Sequence, residues 1–187
     1  RPHPTAPHAD GPMRGRTGQG GFIMRLSKRE VTDIAKLREI LEACKTVRIA
    51  CVDDQGLFIV PMSFGFELDD ETRRLSLWLH SAGEGRKAAA WKSAGNTGCP
   101  VAIEMDIEDG VISGEHACDY SFAYRSIMGT GTLHPVTSGE DKVYGLDLIM
   151  EHLAPDAPTA YGPGIIDRAH VWRIDVDEFT GKARTHR

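Results

Sequence analysis

The segment Leu75 to Lys87, LSLWLHSAGEGRK, sets an apolar alternation directly before a histidine, two glycines and two cations. Leu75, Leu77 and Leu79 recur with a period of two, the spacing that turns one face of a strand toward a core. Beyond His80 and Ser81, Gly83 and Gly85 allow a tight turn and a close approach of backbone to ligand. Arg86 and Lys87 then open a helical stretch, AAAWK. Unpaired amides at a helix start, the positive end of the helix dipole and two cationic side chains all favour an anion at one point, a phosphate above all. The order is not a Walker loop, because Gly85 is followed by Arg86, Lys87 and Ala88. It is not the dinucleotide fingerprint either, since Ala88 stands where the third glycine belongs. A solvated Arg-Lys pair on an exposed first turn is the plain alternative for the same residues.

The elements around this turn come from a chain of 187 residues with 41% hydrophobic and 26% charged residues, enough for one domain with a core. A net charge of −5 argues against a general nucleic-acid binder. No apolar run approaches the ~20 residues needed to cross a bilayer, and no signal-peptide core is visible near the start, so no membrane partner and a cytoplasmic location are expected. Cys44, Cys51, Cys99 and Cys118 form no C-x-x-C pair, and the histidines form no metal-ligand spacing. His116-x-Cys118 is the one local pair with metal-binding residue types, and no metal is expected.

Residues 1–23 are rich in Gly, Pro and His and read as a disordered extension, leaving 24–187 as one domain. Ser27 to Glu30 spells a capping box, and Thr32-Asp33 offers a second N-cap, ahead of Ile34, Leu37, Ile40 and Leu41 at helical spacing. The pattern then turns to strands: Val47 to Val52, a turn at Asp53 to Gly56, Leu57 to Phe66, a turn at Asp69 to Thr72, and Leu75 to His80. After a short helix come Val101 to Ile107, a turn at Asp109-Gly110, Tyr120 to Tyr124 and Ser126 to His134. A helix over Ser138 to Leu153 and a strand over His170 to Val176 complete the pattern. Strands follow strands without crossover helices, so the expectation is a mainly β α+β domain: an antiparallel barrel of about six or seven strands with three flanking helices.

Several segments in this order resemble the FMN-binding split-barrel families, and specifically the nitroimidazole-resistance branch related to pyridoxamine 5′-phosphate oxidase. They are Val60-Pro61-Met62-Ser63-Phe64-Gly65, Leu79-His80-Ser81-Ala82, Gly85-Arg86-Lys87, Cys118-Asp119-Tyr120, Tyr124-Arg125-Ser126 and Thr180-Gly181-Lys182. The resemblance makes the expected barrel a split barrel and implies FMN as cofactor, with its phosphate at Ser81, Ala82, Gly85, Arg86 and Lys87. It places the flavin ring along Val60, Pro61, Met62 and Ser63, and His80 at the reactive side as the candidate catalytic group. Arg125 and Ser126 would reach the cofactor, from the other subunit if the protein is a homodimer with the flavin at its interface. Tyr124 and Trp172 are candidates to flank the ring, though an aromatic on a strand is usually core.

The implied function is an FMN-dependent oxidoreductase that takes electrons from NAD(P)H or another donor and reduces a small nitro- or carbonyl-type acceptor. The alternative is a flavin-binding electron carrier without a dedicated small substrate, or a haem-utilisation protein with His116, His134 or His170 as an axial ligand.

Overall fold

A computed structural model describes residues 27–186; the expected N-terminal extension, residues 1–23, lies outside the described residues. A 3-10 turn at Ser27–Arg29 leads into a two-residue strand, β1 (Glu30–Val31), and helix α1 spans Ile34–Ala43. Of the two candidate caps, Asp33 is the one used: its carboxylate accepts from the amides of Ala35 at 2.9 Å and Lys36 at 3.3 Å. The Ser27 box starts no α-helix because Glu30 and Val31 pair with Lys182 and Gly181, and ladder bonds replace the local cap.

The chain continues as β2 (Val47–Asp53), β3 (Gly56–Met62), β4 (Phe64–Leu68), β5 (Leu75–Ser81), α2 (Arg86–Ser93), β6 (Cys99–Ile112) and β7 (Ser121–Val136). It ends with α3 (Gly139–Leu153), a four-residue α4 (Ile165–Arg168) and β8 (His170–Arg184). The strands form one antiparallel sheet in the order β3-β2-β6-β7-β8-β5-β4, with β1 attached to β8. Its two end strands, β3 and β4, follow each other in sequence with only Ser63 between them. The sheet therefore curls until its ends meet at one corner, where no ladder joins them among the described residues. This is the expected split barrel, with eight strands and four α-helices in place of about six or seven and three.

The extra strands have local causes. Leu57 to Phe66 divides at Ser63, where the chain changes partner from β2 to β5. Asp109-Gly110 is not a turn but a bulge inside a long hairpin, where the register shifts between Glu108 and Gly110 and Gly110 sits at φ 103. Tyr120 to His134 is then nearly one strand, and β8 runs on to Arg184 beside it.

Leu77, Leu79, Ile49, Met105, Ile127 and Ile174 fill the barrel and are fully buried. Removing each such side chain from water stabilises the fold by ~1.5–3 kcal/mol. Two helices plug the ends. Helix α1 buries Leu37, Ile40 and Leu41, with Leu37 against Gly181. Helix α2 buries Trp91, edge-on to Trp172 with ring centroids 5.3 Å apart. Trp172 and Gly181 lie near opposite ends of β8, so the plugs close opposite mouths. Helix α3 covers the outer face, laying Gly145 on Trp78 and Ile149 on Gly65.

Candidate functional site

The mouth plugged by α2 brings together most of the residues predicted to hold the cofactor, Val60 to Ser63 and His80 to Lys87. Leu79 of β5 pairs with Phe64, so continuing that register by one step sets Ser63 beside His80. Ser81 pairs with His170, and the chain then turns through Ala82 to Gly85 into α2. Gly85 precedes the helix at φ 99, ψ 170, a backbone that a side chain would strain, and open space lies where its Cβ would be. No side chain caps α2, and its first internal bond runs from the Ala89 amide to the Gly85 carbonyl. The amides before Ala89 are the ones an outside acceptor can take.

Lys87 points from this helix start to the end of β3, where its Nζ lies 3.0 Å from Met62 Sδ. A thioether is a weak acceptor, and among the described residues Lys87 makes no ion pair. This half-buried ammonium therefore has capacity for an oxyanion. Met62 is buried, Val60 is half-buried, and Pro61 and Ser63 are exposed. Pro61 pairs with Arg48 of β2 and lies on β3, an end strand of the sheet, where proline is tolerated.

Arg86 and Ser81 were expected to face the phosphate, and the structure gives both to protein partners. The Arg86 guanidinium donates to Asp53 from Nε at 2.8 Å and from Nη2 at 2.7 Å. That pairing lowers the Asp53 pKa and raises that of Arg86. The Ser81 hydroxyl is buried, donating to the Ala82 carbonyl at 2.9 Å and accepting from Trp172 Nε1 at 2.9 Å. It shapes the turn from beneath. Trp172 is itself 2% exposed, so it forms the floor under the turn and offers no face for stacking.

His80 stands exposed at the end of β5. Its pKa is lowered first by desolvation, then by the positive fields of His170 and Lys87. A neutral imidazole can donate one hydrogen bond and accept another, and can take up a proton when an anion arrives beside it.

Arg125 and Ser126 are not brought to this mouth within one chain. They pair with Ile107 and Asp106 on β6, while it is Val136, at the far end of β7, that lies level with His80 through Val171. The intervening strand spans roughly 30 Å at ~3.3 Å per residue. Arg125 makes two 2.9 Å bonds to Asp109, and Tyr124 lies beside it on the same arm. Cys118 is exposed in the 3-10 turn before β7. Of the three haem-ligand candidates, His116 sits in that same distal loop, separated by the length of β7 from His134 and His170. Among the described residues no group of three or more His, Cys, Asp or Glu could hold a metal ion. No helix there is long and apolar enough to cross a membrane.

The residue that sequence reasoning missed is Asp53, taken only as part of a hairpin turn; its pairing with Arg86 is a tertiary contact that no local spacing marks.

A split antiparallel barrel whose end strands meet beside a cationic helix start without a side-chain cap defines the class of domain. The chain belongs to the pyridoxamine 5′-phosphate oxidase family, whose model matches residues 33–183. It is similar to the solved structure of a candidate 5-nitroimidazole antibiotic resistance protein from Bacteroides thetaiotaomicron. That match has 28% identity and a TM-score of 0.66, covering 82% of this chain and 86% of that one. The same fold appears in a FAD- and haem-binding protein from Mycobacterium smegmatis, at 21% identity and TM-score 0.68, covering 83% of this chain and 73% of that one. A flavocytochrome from Azotobacter vinelandii shares it at 20% identity and TM-score 0.70, covering 87% and 72%. No curated protein matches the sequence.

Proposed function

We propose that the protein is an FMN-dependent oxidoreductase that reduces a small nitro- or carbonyl-type acceptor with electrons from NAD(P)H or a comparable donor. The observation that carries this reading is the Lys87 ammonium, without an oxygen partner among the described residues, beside the uncapped start of α2. A phosphate monoester fits that donor set, since it would take both the ammonium and the amides of Ala82, Gly85 and the first helical residues. When bound, the flavin supplies the electron and hydride transfer. The chain supplies the rest. Val60 to Ser63 would hold the ring through the end-strand backbone of β3, with Met62 as the buried anchor of that segment, and His80 would hold or deliver a proton at its imidazole for the acceptor.

Within one chain the site is an open ledge, because His80, Ala82, Gly85, Pro61 and Ser63 are all exposed. A second copy of the chain would enclose it and supply Arg125 and Ser126. The outer face of β2 and β3 supports this pairing: Val52 is 63% exposed, Leu57 80% and Ile59 61%, beside a shallow groove of about 570 Å³ over Ala50, Pro100 and Ala102. Such a run of exposed apolar side chains suits a two-fold interface.

The test is to load purified protein with FMN, reduce it with NADH or NADPH, and follow reoxidation by nitroimidazoles and quinones. Reoxidation faster than that of free reduced FMN supports the enzyme. A rate no faster than free FMN would reduce the protein to a flavin carrier, and a Soret band on haem titration would point to haem instead.

A further inference from the structure

Consecutive side chains at the start of α2 reach opposite ends of β3. Lys87 meets Met62 at its last residue, while Arg86 meets its first, donating from Nη2 to the Gly56 carbonyl at 3.1 Å. The same guanidinium grips Asp53, the last residue of β2, through two near-parallel bonds of 2.8 and 2.7 Å. It also lies over the Phe58 ring at 4.5 Å. The Asp53 carboxylate is only 10% exposed and accepts from the Gln55 amide at 2.9 Å, so it is held by the turn as well as by Arg86. Turning Arg86 toward a phosphate would give up two charge-assisted bonds to Asp53, the bond to Gly56 and the contact with the Phe58 ring. The flat, forked guanidinium matches the carboxylate on its edge and the aromatic ring on its face, a combination lysine cannot reproduce. Strand β3 has β2 as its sole ladder partner among the described residues, so the sheet alone does not fix where it lies relative to α2.

We propose that Arg86 is a positioning residue rather than a phosphate ligand: with Asp53 it forms a latch that sets the β2–β3 hairpin, and so the ring-side segment Val60–Ser63, relative to the phosphate anchor at Lys87. The inference rests on the flavin reading above and divides the two adjacent cations between two tasks. Lys87 discriminates phosphorylated from unphosphorylated flavin. Arg86 sets the distance between anchor and ring strand, and therefore serves both ligands alike.

The experiment titrates FMN and riboflavin into the wild-type protein, Asp53→Asn, Arg86→Met, Arg86→Lys, Lys87→Met and the Asp53→Asn/Arg86→Met double variant, reading affinity and the visible band of the bound flavin. Asp53→Asn and Arg86→Met are expected to weaken FMN and riboflavin by the same factor, roughly three- to tenfold for a bidentate pair. Both should shift the flavin band in the same way, and the double variant should be no worse than either single one. Arg86→Lys should behave like Arg86→Met, because charge without the fork does not close the latch. Lys87→Met should lower the preference for FMN over riboflavin. The proposal is overturned if Arg86→Met weakens FMN and spares riboflavin, if Asp53→Asn tightens FMN by releasing Arg86, or if Arg86→Lys retains full FMN affinity. Should the wild-type protein take up neither flavin, the flavin reading and the positioning role fall together. Thermal unfolding of the flavin-free variants then decides the latch alone: non-additive losses support it, and additive ones refute it.

Discussion

Two helices plug the two mouths of one barrel, and they begin in opposite ways. Helix α1 starts on Asp33, whose carboxylate takes two of its first amides, and its end is held by His152, whose Nε2 lies 2.7 Å from the Cys44 carbonyl. Helix α2 starts on a glycine with no side-chain cap, followed by a lysine with only a thioether beside it. Both bury their apolar faces fully, at Leu37 and Leu41 in one case and Trp91 in the other. Both mouths are packed, but only at α1 does a side chain take the first amides. The asymmetry is what supports the proposed ligand site: Asp33 takes the first amides of α1, whereas no side chain takes those of α2 among the described residues.

The largest expected effect tests what the two mouths share. Trp91→Ala removes a fully buried indole that donates to Cys51 Sγ at 3.3 Å, and it should cost ~3–5 kcal/mol in urea unfolding. A loss below that of a surface substitution would mean that α2 does not plug the barrel. Next comes the contrast itself. Lys87→Ala should weaken FMN binding by ~1.5–3 kcal/mol, the worth of a charged hydrogen bond, while unfolding of the flavin-free protein barely moves. Asp33→Ala should show the mirror image, a loss of ~1 kcal/mol in stability with FMN affinity unchanged. If both substitutions changed the same property, the two helix starts would not differ in purpose.

A smaller effect separates the two histidines by pH. His152, half-buried between Phe64 and Phe66, has a pKa lowered from 6.5, chiefly by burial. The unfolded chain then takes up a proton more readily than the fold does. Its share of stability should be intact above pH 6.5 and drain away as pH falls toward the lower folded value. His152→Gln should flatten that slope in denaturation curves collected across acid pH. His80 is lowered in the same direction, but Lys87 and His170 contribute to its shift, so phosphate beside Lys87 should raise its pKa in an NMR titration. An His80 pKa that ignores FMN would place the phosphate elsewhere.

The alternation in Leu75 to Leu79, the glycines that follow and the cations at Arg86 and Lys87 made the strand, the turn and the helix start legible from residue order alone, because each is a local property of the backbone. Asp33 was legible as a cap for the same reason. What residue order did not show was which protein groups compete for the polar side chains. Arg86 looked equivalent to Lys87 because a sequence carries no sign that Asp53, on a different hairpin, lies within reach of one and not the other. Ser81 reads as a phosphate donor in residue order, which carries no sign that Trp172, from the last strand, donates to its hydroxyl. The bulge at Gly110 was mistaken for a turn because a positive φ is needed in both.

The central claim, that the mouth with the uncapped helix receives a phosphate, is tested most directly by comparing FMN with riboflavin in one fluorescence titration of the wild-type protein and Lys87→Ala. The account predicts that the wild-type protein prefers FMN by about tenfold or more and that the preference collapses in the variant. Equal affinities in the wild-type protein, or a preference that survives the loss of Lys87, would contradict it.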